Sequence, residues 1–193
     1  MYAHTIQQFL EKTLHRDDLP SKASPNIPSP LDPLCYEDSD LYSPGIVQQG
    51  AGWKMITDWR TDQTCNWTPP TDLFIGEEPG AGFRVHFTGT AIGLSMLAGM
   101  DNGDIDYSID GGAYQTVQLF DQYCTKFYRP KIVMLSDDLI SGKHIIDIRI
   151  SKDKHEESIG HAVRILKLLL KGMDTNKEGN FDEKLDDPNR PAE

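Results

Sequence analysis

Aromatic side chains beside carboxylate and amide groups are the residues of this chain best suited to chemistry with a ligand. Trp53, Trp59 and Trp67 fall within residues 41–67, and Tyr123 and Tyr128 follow later. An aromatic ring covers the apolar C–H face of a sugar, while neighbouring Asp, Asn or Gln groups hydrogen-bond its hydroxyls. Trp59 lies between Asp58 and Arg60, and Trp67 between Asn66 and Thr68, so these two read as the more exposed tryptophans. The candidate substrate-binding residues are therefore Trp59, Trp67, Tyr123 and Tyr128. For each of them a place in the core is the competing reading, because large rings are mostly buried in a small β domain. Asn66-Trp67-Thr68 is also a glycosylation sequon, which would mark a surface loop in a secreted eukaryotic protein.

Other residue sets fall short of a mechanism. A hydrolase needs a nucleophile, a base and an oxyanion hole brought together, yet neither G-x-S-x-G nor a G-D-S block occurs. His86 and His144 sit in strand-like segments, where a structural role is the simpler reading. Asp174, Asn176, Glu178, Gly179 and Asp182 imitate the start of a calcium loop, but Leu185 stands where the bidentate Glu belongs. That segment reads as an acidic, disordered tail. The three cysteines, Cys35, Cys65 and Cys124, are too far apart for a CxxC motif, and their odd count leaves at least one thiol unpaired. Neither a metal nor a cofactor is expected.

Length and charge bound the rest. With 193 residues the chain has room for one solid core plus a tail or linker. A net charge of −11 argues against a phosphate-binding surface, since nucleic-acid contacts need Lys and Arg to displace counterions, and no basic patch stands out. No apolar run reaches membrane-spanning length, and the N-terminus lacks the basic and apolar regions of a signal peptide.

The elements that must position the aromatics are strands. Phe83, Val85, Phe87 and again Ile105, Tyr107, Ile109 alternate with polar residues, the period of a half-buried strand. Asp101-Asn102-Gly103-Asp104 and Asp110-Gly111-Gly112 offer residue types suited to tight hairpin turns. Strands are predicted near 83–88, 91–97, 104–109, 114–119, 131–135, 144–151 and 162–169, with short earlier ones at Ile46-Val47 and Lys54-Ile56. The segment HAVRILKLLL (161–170) fits a helix or a buried strand, and the strand is preferred. The intervals suit an antiparallel β-sandwich or jelly roll, an all-β fold. Ahead of it, YAHTIQQFLEKTL (2–14) places Ile6, Phe9, Leu10 and Leu14 on one side of an amphipathic helix. Five prolines between Pro20 and Pro33 then exclude regular structure. The expected organisation is a helix in 1–16, a proline-rich linker in 17–40, the sandwich in 41–171 and the tail in 172–193.

Two stretches resemble one family. FTGTAIGLSMLAGMDNGDIDYSIDGGAYQTVQLFD with the later LISGKHIIDIRIS is similar to the β-sandwich beside the catalytic domain of SGNH (GDSL-type) carbohydrate esterases. The helix YAHTIQQFLEKTL resembles the last helix of such a catalytic domain. The family's catalytic Ser block, oxyanion Gly and Asn, and Asp-x-x-His block have no counterpart here. His4 lies after the place of the catalytic His and does not inherit its role. The resemblance thus implies a non-catalytic C-terminal accessory region of a longer esterase, with a glycan as ligand and an SGNH catalytic domain as covalent partner. An independent carbohydrate-binding module and a purely structural interdomain scaffold are the alternatives.

Overall fold

A computed structural model describes residues 2–14, 28, 31–32, 35–36, 38–47, 50–65, 67 and 71–172. The chain forms two compact units, Met1–Pro33 and Leu34–Glu193. The first contains helix α1, Tyr2–Leu14, whose Ile6, Phe9, Leu10 and Leu14 are all exposed. The acidic segment beyond residue 172 and most of the proline-rich stretch lie outside the described residues.

The second unit is a sandwich of two antiparallel sheets. Among the described residues its strands are β1 (Ser39–Tyr42), β2 (Trp53–Trp59), β3 (Thr71–Gly76), β4 (Gly82–Gly89), β5 (Ala91–Ala98), β6 (Ile105–Ile109), β7 (Gln115–Val117), β8 (Arg129–Ser136), β9 (Gly142–Ile150) and β10 (Val163–Lys171). One sheet runs β2-β3-β10-β5-β8, with β1 also paired to β10; the other runs β4-β9-β6-β7. Alternation decides which side faces inward. Phe83, Val85 and Phe87 of β4 pair with Ile148, Ile146 and His144 of β9, so one apolar row from each strand meets Ile92, Leu94 and Met96 of β5 across the interior. Trp53 joins this core, stacked on Phe74 at 4.9 Å and met edge-on by Phe83 at 4.7 Å.

Two local expectations are corrected, and two strands, β1 and β3, are additional to those predicted. Ile46-Val47 is not a strand: Pro44–Ile46 form a 3₁₀ turn, because Pro44 supplies a fixed φ and the Ser43 side chain caps the Gly45 N–H. Asp101-Asn102-Gly103-Asp104 is not a hairpin turn, since β5 and β6 belong to different sheets and none of these residues has positive φ. The chain here crosses the sandwich, and Asn102 is buried in a bridge to Ala162. The other turn behaves as expected: Asp110 and Gly111 have φ of 51° and 73°, and the Gly112 N–H donates to the Ile109 carbonyl, the mirror-image turn that matches strand twist. Segment 161–170 is largely strand β10, which lies between β3 and β5.

Candidate functional site

A single extra residue in β2 aims Trp59. Ile56 pairs with Leu73 and Trp59 with Thr71, so three steps along β2 match two along β3. Asp58, at φ 60°, takes up the difference. In an unbroken strand Trp59 would share the face of Trp53, which points into the core. The bulge instead turns Trp59 to the face of Ile56, on the outside of the sheet. There the two residues pack over Leu73, Ile75 and Leu97, together with Trp67 and Leu166.

Trp59, Trp67 and Tyr128 form one half-buried aromatic cluster on this outer layer. The two indoles stack at 5.8 Å and 16°, and the Tyr128 ring meets Trp59 edge-on at 5.3 Å. Backbone bonds hold the loop bearing Trp67 against the start of β8. The Trp67 indole N–H donates to the Tyr128 carbonyl at 2.8 Å, the Cys65 N–H donates to the same carbonyl, and the Tyr128 N–H donates to Gln63.

Beneath the rings lies a charged clamp. Arg164 is 4% exposed, and its guanidinium donates to both carboxylate oxygens of Asp101 at 2.8 and 2.6 Å. The cation sits 5.4 Å from the Trp59 ring centre and 5.0 Å from that of Tyr128, within cation–π range. The Tyr128 hydroxyl donates to Asp101 at 3.2 Å, so one carboxylate orients both the cation and the phenol. Burial, and then the Asp101 charge, push the Tyr128 phenol above its ordinary pKa. Gly99 gives the ring its room: a Cβ there would lie 2.0 Å from the Tyr128 ring.

A groove of about 500 Å³ adjoins the cluster, with Leu166 shared between the two. Its origin is a gap in pairing. On one edge of β10, β3 pairs residues 163–165 and β1 pairs residues 168–171, so Leu166 and Lys167 are paired by neither. Met55 and Leu166 provide apolar lining, and Thr57, Asp58, Thr71, Asp72 and Lys167 provide polar groups.

Of the four residues expected from sequence, the fold unites Trp59, Trp67 and Tyr128. Trp59 and Trp67 are the more exposed tryptophans, half-buried where Trp53 is buried. Tyr123 stands apart, in the turn 122–126, with the Arg129 guanidinium over its ring at 5.3 Å. Arg129 and Lys131 in turn pair with Asp121. Sequence reading missed Arg164 and Asp101, although an arginine between the apolar residues Val163 and Ile165 was a usable signal for a buried partner. It also treated Asp58, Thr71 and Asp72 only as context.

His144 places Nδ1 2.7 Å from Asp110 and Nε2 2.7 Å from the Ile140 carbonyl, so both ring nitrogens are committed to acceptors. Among the described residues no cluster of metal-ligating side chains occurs, and no helix is long and apolar enough to cross a membrane. Cys35, Cys65 and Cys124 are free thiols.

Comparison with known proteins gives a structural likeness. No family model matches the chain, and no curated protein matches it. Two solved structures of a two-domain esterase (CEX) active on acetylated mannans, one co-crystallized with mannopentaose, superpose with a TM-score of 0.57 at 16% identity. The match covers 88% of this chain and 44% or 45% of those chains. This chain therefore spans less than half their length. At that identity the likeness shows the fold, an antiparallel β-sandwich.

Proposed function

We propose that this chain is a glycan-binding accessory β-sandwich of an SGNH-type carbohydrate esterase, and that it has no esterase activity of its own. The observation that carries the reading is the convergence of Trp59, Trp67 and Tyr128 on one outer layer beside a polar groove. Stacking surface and hydrogen-bonding groups side by side are what a sugar ring requires. The bulge at Asp58 supports it too, because it moves a tryptophan from the core parity to the surface. The fold shared with an esterase active on acetylated mannans and the strand motifs of the SGNH accessory domain point the same way.

In this reading the cluster provides a sequence-tolerant platform for a glycan chain, and the Arg164–Asp101 clamp keeps the rings in place. Catalysis belongs to a domain encoded on the same polypeptide. Two assays test it together. The chain should be retained on immobilised acetylated mannan or another insoluble plant polysaccharide and should release no acid from a model acetyl ester. Ester turnover abolished by one Ser substitution, or passage of the chain through every polysaccharide tried, would contradict the proposal.

A further inference from the structure

The groove that shares Leu166 with the aromatic cluster is lined by a residue at a backbone angle that favours glycine. Asp58 has a φ of 60°, a region that glycine enters freely and that other residues enter at a cost, although Asp tolerates it better than most. Two local contacts do not account for an aspartate here. Its N–H donates to Asp72 Oδ1 at 3.1 Å, a bond that any residue would make. Its two carboxylate oxygens accept from Arg60, Oδ1 from Nη2 at 2.8 Å and Oδ2 from Nε at 3.3 Å, but both side chains are 62% exposed, and such surface pairs contribute little to stability.

What the carboxylate does have is a position on the groove wall, next in sequence to Trp59. The groove's volume of about 500 Å³ falls within the range of small-ligand sites, about 300–1,000 Å³. Its polar side chains are two carboxylates, three hydroxyls from Ser43, Thr57 and Thr71, and one ammonium, an arrangement rich in acceptors.

We infer that Asp58 is a specificity-determining contact of the glycan surface, its carboxylate accepting hydrogen bonds from the hydroxyls of a neutral oligosaccharide whose adjoining ring lies against Trp59. The inference rests on the proposed glycan-binding role. Every hydroxyl of a neutral sugar can donate to a carboxylate, whereas a uronic acid would bring its own negative charge against Asp58 and Asp72, a charge that Arg60 and Lys167 offset only in part because both are exposed to screening water. The protein's net charge of −11 adds to that exclusion.

Asp58→Gly separates this role from folding, because glycine accepts the positive φ and removes only the carboxylate. Calorimetric titration with neutral pentasaccharides of mannose, xylose and glucose, and with an oligogalacturonate, should be run on the wild type, Asp58→Gly and Trp59→Ala. Asp58→Gly should keep its melting temperature within about 3 °C of the wild type and lose about tenfold in affinity for the neutral sugar that binds. The oligogalacturonate should bind at least about tenfold more weakly than that sugar. Unchanged affinity in Asp58→Gly, a larger fall in melting temperature, or equal binding of the oligogalacturonate would overturn the inference. Loss of binding in Trp59→Ala with none in Asp58→Gly would sink it alone and leave the glycan-binding role standing. A wild type that binds no sugar would overturn both.

Discussion

Replacing Asp101 with alanine should unsettle the aromatic layer and the fold together. Arg164 is almost fully enclosed, and its side chain is 5% exposed against 25% for Asp101. Its Nε is buried without a hydrogen-bond partner among the described residues, so the two bonds to Asp101 are its main compensation for leaving water. Breaking a buried pair from one side strands a charge and costs about 3–5 kcal/mol. The partial exposure of Asp101 admits some water, which puts the expected loss near the lower end, about 3 kcal/mol. For a domain of this size about 1 kcal/mol moves the melting temperature by roughly 2–4 °C, so Asp101→Ala should melt about 6–12 °C below the wild type. Asp101→Asn keeps an acceptor for the guanidinium and the phenol and should lose less. The double variant Asp101→Leu/Arg164→Met, which removes both charges, should recover most of the stability. Thermal and urea unfolding of all three variants provide the measurement. An Asp101→Ala variant that melts within about 2 °C of the wild type, or a double variant that falls further than the single one, would refute the clamp as an energetic unit.

Two further predictions concern single positions. His144 can donate to both Asp110 and the Ile140 carbonyl only as the imidazolium, and its pKa is raised first by the Asp110 bond and then by the carbonyl. Its contribution is therefore fully present below the ordinary value of 6.5 and is lost as pH rises through the raised one. Asp110, held below its usual 3.8 by the Ile145 N–H and then by His144, contributes above that value and fails as pH falls through the lowered one. Wild-type stability should drop between about pH 5 and about pH 9 by more than that of His144→Gln, and parallel pH profiles for the two would count against the bond pattern. Gly99→Ala sets a methyl group 2.0 Å from the Tyr128 ring, which must move away from Asp101. It should cost about 1–3 kcal/mol in chemical denaturation, and a neutral result would show that the ring is not fixed there.

How much was readable in advance depended on whether burial was one-sided. Strands β4, β6 and β9 bury one face, and the pattern Phe83, Val85, Phe87 states that directly. Strand β3 was missed because Leu73, Phe74 and Ile75 are buried on both faces, Phe74 in the core and its neighbours under the aromatic layer. A short apolar run of that kind has no period. The tryptophans were legible as candidates but not in their placement, since parity along β2 predicts the wrong face until the bulge at Asp58 is known. The Arg164–Asp101 pair joins residues 63 positions apart, one in a strand and the other in a crossing that looks locally like a turn. No local signal could have matched them.

The most direct test of the central claim is calorimetric titration of the sandwich with neutral pentasaccharides, mannopentaose among them, in the wild type and Trp59→Ala. The glycan-binding account predicts saturable binding by the wild type to at least one of them, weakened about tenfold or more in Trp59→Ala, a loss of about 1.4 kcal/mol or more. Binding that is identical in the two proteins, or no binding by the wild type at any sugar, would contradict it.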